Sequence, residues 1–404
     1  MIIAVNLVYY LATAALAPFF SLMALVTASA LLGRRNRPAA AEGRARFLIV
    51  IPAHDEEGAI GATVRSCRAI DYEPGLFSIH VIADNCSDRT ADEAREAGAV
   101  VVERHDPELR SKGHALEYFF TRIPDGRPDA GYDAAVLIDA DTVVDAGLLR
   151  VFDRSLAEGK DWAQGYYTVR NPDASWRTRM MTYAFSLANG VWLLGLDRLG
   201  LSVGLKGNGM CFSAKGLRRF PWRAHGLVED MEFALMLRVE GERVRFEPEA
   251  RVFGEMVSKG GPGAASQRRR WEAGRRSLRG KFAVPLATSP SLGIFRRMFY
   301  LIDVFFPPLV TLVLILVMTA SVHVLAALTA GFSIVSRHLL PIHGAMLAVL
   351  LTYGISPFLA LKLPSRYLLS LLCLPYYVGW KIVIGLGKGP QNWVRTPREP
   401  QSPA

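Results

Sequence analysis

Cysteine is scarce in this chain of 404 residues. The four cysteines are Cys67, Cys86, Cys211 and Cys373, and none of them forms a C-x-x-C pair or a cysteine–histidine cluster with zinc spacing. The pattern therefore fits neither a disulfide framework nor a structural zinc site. We expect the soluble part of the protein to work in a reducing compartment.

Charged residues are also sparse, at 21% of the chain, whereas hydrophobic residues make up 51% and the mean hydropathy is +0.20. This composition is too apolar for an ordinary soluble protein and too polar for a bundle of membrane spans, so we predict one soluble domain joined to a membrane part. The net charge is +10. Because the arginine clusters flank apolar runs, they are expected to mark a cytoplasmic membrane face, and no nucleic-acid partner is expected.

Charge is absent altogether from residues 2–32, a run long enough to span a bilayer. A cleaved signal peptide is the alternative, since residues 28–30 (ASA) resemble a cleavage site, but no Lys or Arg precedes the run. We predict a retained transmembrane helix over residues 1–33. The basic stretch GRRNR (33–37) then places the residues that follow it in the cytoplasm.

Residues 34–285 have the patterns of a soluble α/β domain. Short apolar strands are predicted at 47–53, 77–84, 99–104 and 134–141. Helical spacing lies between them, which favours a mostly parallel sheet with helices on both faces. Ligands of such sheets bind at the carboxyl ends of the strands. The acids at those ends should therefore meet at one edge: Asp55, Asp84, Asp139 and Asp141.

A second membrane region is predicted over residues 286–404. Residues 299–308 are interpreted as an interfacial segment ending at a Pro-Pro kink, and spans are predicted near 309–331 and 340–361. Residues 367–387 could form a third span, but crossing would place the basic tail outside the cell. An interfacial or re-entrant segment is therefore favoured there.

Two aspartates, Asp139 and Asp141, follow the apolar residues 134–138. A buried carboxylate without a partner costs on the order of several kcal/mol, so the pair either lies in a solvated turn or holds a cation. At a strand end, two carboxylates can hold Mg²⁺ or Mn²⁺ against a diphosphate. The metal would then neutralise charge on a departing nucleoside diphosphate.

Glu229 and Asp230 open a predicted amphipathic helix in GLVEDMEFALML. Acids are favoured at a helix N-terminus by the helix dipole alone. The functional interpretation is a general base that takes a proton from an acceptor hydroxyl. The motif by itself leaves both interpretations open.

The segment SQRRRWEAGRRSLRGK is rich in arginine. A basic helix resting on anionic lipid explains Arg275, Arg276 and Arg279. Gln267 and Trp271 fit that explanation less well. Arginine offers forked donors to phosphate oxygens, and tryptophan offers a flat face to a sugar or base.

Five motifs follow one another at suitable separations: IPAHDEE, VIADNCSD, DAD, VED and QRRRW. This series, over residues 47–271, resembles the family 2 glycosyltransferases with membrane segments, the group that includes cellulose, chitin and hyaluronan synthases. The resemblance implies a GT-A fold inserted between transmembrane helices, a nucleotide-sugar donor with uridine as the favoured base, and inversion at the anomeric carbon. The first motif departs from the family's P-x-x-N-E, because Asp55 replaces the asparagine.

The resemblance also implies roles for individual residues. Asp230 is expected to be the catalytic base with Glu229 beside it, and Asp141 the ligand of Mg²⁺ or Mn²⁺. Asp84 is expected to contact the nucleotide base, and Asp139 the ribose or diphosphate. Further substrate contacts are expected from Asp55, Glu56, Lys112, Gln267, Arg270 and Trp271.

Two of these assignments concern loops. Lys112, in RSKGHAL, stands in the place of a family lysine near the nucleotide, and a solvated loop charge is its alternative. KGNGMCFS (206–213) stands where the family has a loop near the acceptor. Its glycines allow close approach of the backbone.

The predicted function is an inverting glycosyltransferase that moves a sugar from a nucleotide sugar to a polysaccharide acceptor at the inner membrane. The partners expected are membrane lipid, a glycan or lipid-linked acceptor, and polysaccharide-export subunits. A single-addition enzyme acting on a lipid-linked acceptor is one alternative. A non-catalytic nucleotide-binding subunit of a secretion complex is another, although the intact acids argue against it.

Overall fold

The computed structural model describes residues 2–33, 44–122, 131–256, 262–330, 334–373, 375–376 and 378–379. The strands in this part of the chain are β1 (Phe47–Ala53), β2 (Phe77–Asp84), β3 (Val100–Arg104), β4 (Ala134–Leu137), β5 (Thr142–Val144), β6 (Trp162–Val169), β7 (Met210–Ser213) and β8 (Arg245–Gly254). The helices of the α/β part are α2 (Ile60–Arg68), α3 (Thr90–Glu96), α4 (Lys112–Arg122), α5 (Leu148–Ala157), α6 (Trp176–Phe185), α7 (Trp192–Arg198), α8 (Ala214–Arg219) and α9 (Glu229–Val239). The remaining helices are α1 (Ile2–Leu32), α10 (Pro262–Thr288), α11 (Ile294–Phe305), α12 (Leu309–Ala330) and α13 (Ile334–Ala360).

The strands form one mixed sheet in the order β3-β2-β1-β4-β7-β6-β8-β5. The first four strands are parallel, and they are the four that the sequence predicted. β7 then pairs antiparallel with β4 and β6, and β5 pairs antiparallel with β8. β6 and β8 pair parallel. The expectation of a mostly parallel sheet therefore holds for β1 to β4 and for the β6–β8 pair, whereas β7 and β5 make the sheet mixed. β5 to β8 went unpredicted for two reasons. β5 and β7 have only three and four residues, and β6 and β8 interrupt their apolar patterns with polar side chains.

Helices cover both faces of the sheet. In β1, Ile49 and Ile51 face the core formed with α2, α3 and α5, whereas Leu48 and Val50 face the core formed with α4 and α9. Strands buried on both faces read as continuous apolar runs, which is why FLIVIPA shows no alternation. The second core also includes Met23 of α1, so the N-terminal helix and the α/β part share apolar packing.

Two helical stretches in the described residues are long and apolar enough to cross a membrane, Tyr9–Leu32 and His338–Ala360. A third candidate is the pair α11 and α12, bent by 87° between Phe305 and Leu309. Pro307 and Pro308 lie at this bend, where proline removes backbone donors and ends the first helix. The predicted interfacial segment thus corresponds to the end of α11, which begins earlier than predicted. α10 runs across the predicted domain boundary at residue 285.

After α13, a 3₁₀ segment covers Ser365–Cys373. Most of the predicted interfacial segment beyond it, and the basic tail, fall at 380–404, outside the described residues. The basic stretch predicted to mark the cytoplasmic face also falls largely outside them, at 34–37.

A buried ion pair fixes α9 to α11. Arg238, with 3% of its surface exposed, donates to Asp303 Oδ2 at 2.7 Å and to the carbonyl of Ser202 at 2.9 Å. Trp192 Nε1 donates to the other oxygen of Asp303 at 3.1 Å. The helix that opens with Glu229 and Asp230 is thereby attached to α11, the first helix of the bent pair that is a candidate span.

Candidate active site

The carboxyl ends of β1, β2 and β4 lie side by side because these strands are parallel neighbours. His54 and Asp55 follow β1, Asp84 ends β2, and Asp139 and Asp141 follow β4. The structure therefore brings the strand-end acids to one edge, as the sequence predicted.

Lys112, the first residue of α4, stands at the centre of this edge. Its Nζ donates to Asp139 Oδ1 at 2.5 Å and to the carbonyl of Gly207 at 2.6 Å, and it lies 3.8 Å from Glu229 Oε1. Burial opposes the charged form of the ammonium, but the attraction of Asp139, Glu229 and Asp230 outweighs it and raises the pKa of Lys112. Lys112 is therefore a cation held between Asp139, which follows β4, and Glu229 of α9. It is not the solvated loop charge that the sequence left as an alternative.

Glu229 and Asp230 lie in the first turn of α9. Burial raises the pKa of Glu229 to about 7. The positive charge of Lys112 opposes this rise, and the negative charge of Asp230 adds to it. Burial also raises the pKa of Asp230, against the Met231 amide and Lys112. A carboxylate whose pKa approaches the working pH is suited to general base catalysis. The functional interpretation of this pair is therefore better supported than a purely structural preference for the helix N-terminus.

The backbone beside Asp230 is that of Gly207, which has a φ of +78°. A Cβ at this position would lie 3.3 Å from Asp230 Oδ2 and 3.8 Å from Lys112 Nζ. Glycine both permits this conformation and leaves room beside the carboxylate.

Two fully buried amides, Gln164 and Asn208, hold the loop that contains Gly207. Gln164 Oε1 accepts from the amide of Lys206 at 2.8 Å, and its Nε2 donates to the carbonyl of Asn208 at 2.8 Å. Asn208 Oδ1 accepts from the amide of Asp139 at 3.2 Å, and its Nδ2 donates to Thr142 Oγ1 at 2.7 Å. The loop is thus tied to both β6 and the D-A-D turn. Sequence reasoning missed Gln164 and Asn208, since no local pattern reveals a partner 42 to 69 residues away.

At the end of β2, Asp84 forms a buried ion pair with Arg104 at 2.5 Å, and each residue is 6% exposed. Asn85 Nδ2 donates to the same oxygen of Asp84 at 3.1 Å. Arg104 also bonds to Asp106 at 3.1 Å and to the carbonyl of Leu109 at 3.0 Å. Sequence reasoning missed Arg104, although a charged residue that ends an apolar strand was an available signal.

Asp55 adopts a left-handed backbone conformation, with a φ of 53°. Its carboxylate accepts from the amide of Ser87 at 2.7 Å and from the Ser87 hydroxyl at 3.2 Å, which ties the loops after β1 and β2 together. Glu56, next in the chain, donates from its amide to Thr90 Oγ1 at 2.7 Å. These contacts explain an acceptor at residue 55, whether it is an aspartate or the asparagine of the family pattern.

Oxygen and sulfur atoms of Asp55, Cys86 and Asp88 lie within 4.8 Å of one another. Asp88, however, accepts from the amides of Glu57 and Thr90 at the start of α3, and Asp55 accepts from Ser87. These bonds to loop amides account for the cluster without a cation.

Asp141 is half-buried after the turn that follows β4. Burial, together with the negative charges of Asp141 and Asp139, raises the pKa of Tyr167 on β6, so this phenol lies within electrostatic range of both acids. Two carboxylates offer the hard oxygen donors that Mg²⁺ and Mn²⁺ prefer. The ammonium of Lys112 already contacts one of them, so the position accommodates positive charge. The residues at this edge therefore fit a divalent cation.

The QRRRW motif lies on α10. Burial raises the pKa of Glu229, and the positive charge of Arg270 is close enough to oppose part of that rise. Trp271 packs against a small apolar cluster of Val169, Phe185 and Met256. The side chain of Gln267 lies outside the described part of the chain. Arg270 thus lies within electrostatic range of the site, whereas Trp271 packs against residues of β6 and α6 beside it.

Comparison with solved structures supports the same architecture. A mannosyltransferase from Pyrobaculum calidifontis, PcManGT, solved in complex with GDP-Man and Mn²⁺, superimposes with a TM-score of 0.56 at 17% identity. The match covers 91% of this chain and 99% of that one. At this identity the likeness concerns the fold alone, and it agrees with the expected GT-A fold between terminal helices.

Two curated proteins match shorter stretches. The low-salt glycan biosynthesis hexosyltransferase Agl6 of Haloferax volcanii is 33% identical over 75 residues, and protein RfbJ of Shigella flexneri is 29% identical over 100 residues. These stretches are 19% and 24% of this chain, and they span only 17% and 66% of the two relatives.

The model of the family described as "Glycosyltransferase like family 2" matches residues 45–274, which include β1 to β8 and the QRRRW motif. That range is more than half of the chain. The narrower resemblance to cellulose, chitin and hyaluronan synthases stays a prediction. With the sheet, the strand-end acids and α9 all inside the matched range, the chain belongs to the glycosyltransferase-like family 2.

Proposed function

We propose that this chain is an inverting hexosyltransferase that moves a sugar from a nucleotide sugar to a glycan acceptor at a membrane surface. The observation that carries the proposal is the contact of Lys112 with Asp139 and Glu229, next to Asp230. Such a group of one cation and three acids serves a reaction in which a negatively charged leaving group departs and a proton is removed.

The proposed site has two ends. The nucleotide end consists of Asp55, Asp84 and Arg104. The reaction end consists of Lys112, Glu229 and Asp230. The D-A-D turn lies between them.

At the D-A-D turn, Asp139 and Asp141 would hold Mg²⁺ or Mn²⁺, which would neutralise charge on the donor's diphosphate. Lys112 is placed to add positive charge on the same side, once the donor draws it away from Asp139. Arg270 would approach the diphosphate from α10. The nucleoside would lie over the ends of β1 and β2, near Asp55, Glu56 and Asp84.

At the reaction end, Asp230 would take the proton of the acceptor hydroxyl. The oxygen forms a bond to the anomeric carbon from the face opposite the diphosphate, and the bond from that carbon to the phosphate oxygen breaks. The diphosphate leaves with the electron pair of that bond. Because the attack comes from the opposite face, the configuration at the anomeric carbon inverts. Glu229 would interact with the same ammonium of Lys112, and its pKa of about 7 lies close to neutral pH.

The donor base is proposed to be uridine, although the solved neighbour PcManGT holds GDP-Man. A polysaccharide is the proposed acceptor, with the catalytic part on the cytoplasmic side of the inner membrane. A second candidate is a single addition to a lipid-linked acceptor. It is favoured by the small size of the membrane part, since the described residues offer two or three spans for a translocation path.

The test uses the full chain in nanodiscs with membrane lipid extract, Mn²⁺ or Mg²⁺, and a panel of labelled UDP- and GDP-sugars. Asp230→Asn should abolish transfer while nucleotide binding persists. Asp71→Asn is the matched control, because Asp71 is an exposed acid paired with Arg150 on the surface.

Product size then separates the candidates. Label in high-molecular-weight glycan supports the polymerising enzyme, and label confined to a lipid-soluble product supports single addition. Full transfer by Asp230→Asn, or no transfer from any donor by the wild type, would contradict the proposal.

A further inference from the structure

A cavity of about 400 Å³ lies outside the active site, between the start of α6 and the 3₁₀ segment after α13. It joins the α/β part of the chain to the segment that follows a candidate span. Its lining residues are Asp173, Trp176, Arg179, Arg366, Leu369 and Cys373.

One wall of the cavity is charged. Asp173 Oδ1 lies 3.3 Å from Arg179 Nε, and Asp173 Oδ2 lies 3.2 Å from Arg366 Nη2. Two guanidinium groups thus share one carboxylate, which leaves one positive charge in excess at the lining. Both arginine side chains are about half exposed, so their remaining N–H donors can meet a ligand. Planar guanidinium groups match the oxygens of a phosphate in a forked geometry.

The other wall is apolar and faces outward. Leu369, which lines the cavity, is 70% exposed, and Leu372, beside the cavity on the same 3₁₀ segment, is 79% exposed. This segment begins five residues after α13 ends at Ala360. Trp176 meets Tyr376 edge to face, with ring centroids 5.2 Å apart. Tryptophan and tyrosine concentrate where a membrane protein meets the lipid headgroups. A segment that follows a candidate span and carries exposed leucines beside an aromatic pair is suited to contact with a bilayer surface.

We propose that this cavity binds the phosphate headgroup of an anionic membrane phospholipid. Arg179 and Arg366 hold the phosphate, and the acyl chains lie along Leu369 and Leu372. The bound phosphate joins α6 to the 3₁₀ segment through both arginines at once. Basic pockets beside membrane spans are suited to such headgroups.

Binding at this cavity would also affect the position of α6 relative to the membrane surface. The opposite end of α6 carries Phe185, which packs in the cluster that contacts Trp271. Nine residues separate Trp176 from Phe185, a distance of about 14 Å along a helix. The phospholipid therefore fixes one end of the helix whose other end supports the QRRRW helix.

The experiment measures binding of short-chain phosphatidylglycerol to the delipidated full chain in neutral detergent, with short-chain phosphatidylcholine and inorganic phosphate as comparison ligands. Phosphatidylglycerol should bind more tightly than phosphatidylcholine. The double variant Arg179→Gln/Arg366→Gln should weaken that binding by about tenfold or more, because each guanidinium donates charge-assisted bonds. Arg179→Lys/Arg366→Lys should lose less. Arg218→Gln, on the exposed side of α8, is the matched control and should change nothing.

Equal binding of the two phospholipids, or unchanged binding by the glutamine variant, would overturn the proposal. So would inorganic phosphate that competes as well as phosphatidylglycerol, or a short polyprenyl phosphate that binds more tightly and so marks an acceptor site. Thermal unfolding, measured on every variant, reports on folding, and phospholipid binding is measured without any sugar transfer. A failure of the proposed sugar transfer therefore leaves this test intact.

Discussion

At the nucleotide end of the proposed site, Asp84 has its own buried arginine at 2.5 Å, and Asp55 is bonded to the amide of Ser87. At the reaction end, Glu229, Asp230 and Asp139 share one ammonium, that of Lys112. The first arrangement satisfies its charges before any ligand arrives. The second leaves raised pKa values at Glu229 and Asp230. Acids at a binding surface can have their charges neutralised by partners within the protein, whereas a catalytic base must keep an affinity for protons.

The largest effect is expected from removing the shared cation. Lys112→Met leaves Asp139, Glu229 and Asp230 without their common partner, so sugar transfer should fall by about 100-fold or more, as when one electrostatic donor is removed from an active site. Steady-state transfer with a labelled donor measures this. The control is Lys160→Met, which changes a lysine that is ion-paired with Glu247 of β8. Retention of wild-type turnover by Lys112→Met would remove the basis of the proposed reaction end.

The second prediction concerns stability at the nucleotide end. Arg104→Met leaves Asp84 buried and unpaired, which should cost about 3–5 kcal/mol of unfolding free energy. Chemical denaturation of the full chain in detergent, followed by tryptophan fluorescence, measures the loss. Adding Asp84→Asn to Arg104→Met should recover part of it, because the uncompensated charge is then gone. If the single and double variants have the same free energy of unfolding, the buried charge of Asp84 is not the cause of the loss, and the prediction is wrong.

The third prediction is a pH dependence at the reaction end. The Glu229–Asp230 pair must lose a proton to act, so kcat/KM should rise with pH through about 7. Glu229→Gln removes the neighbouring charge and should move this rise to lower pH. A rate–pH profile of the two proteins measures the shift, and coincident profiles would contradict the assignment.

The same group links pH to stability. The folded-state pKa of Glu229, about 7, lies above its ordinary value of 4.5. The folded state therefore holds a proton that the unfolded chain releases in this window. Stability from this group is greatest below pH 4.5 and declines as the pH rises through 7.

The smallest effect is expected at Asp55. Asp55→Asn keeps an acceptor for the amide of Ser87 and suits the left-handed backbone, so stability should change by no more than about 0.5 kcal/mol. Nucleotide affinity should rise slightly, because one negative charge near the diphosphate is lost. Thermal unfolding and nucleotide titration measure the two quantities. Asp55→Ala, which removes the acceptor, should be clearly less stable.

Much of the site could be predicted from local sequence. Apolar runs that end in acids located β1, β2 and β4, and hence the edge where Asp84 and Asp139 lie. The apolar runs at both ends of the chain located α1, α12 and α13. These features are local because hydrophobic periodicity and turn residues are encoded within a few positions of each other.

The tertiary structure decided which charges meet. Arg104 is 20 residues from Asp84, and Lys112 is 27 residues from Asp139. Gln164 and Asn208 escaped prediction for the same reason, because their partners lie 42 to 69 residues away. A buried polar group is stable only with its partner, and that partner is supplied by the fold and not by neighbours in the chain. The sequence by itself therefore determined the family, the strands β1 to β4, the apolar helices near both ends and the strand-end acids. Only the packing of distant segments decided how those acids are paired and which pKa values are raised.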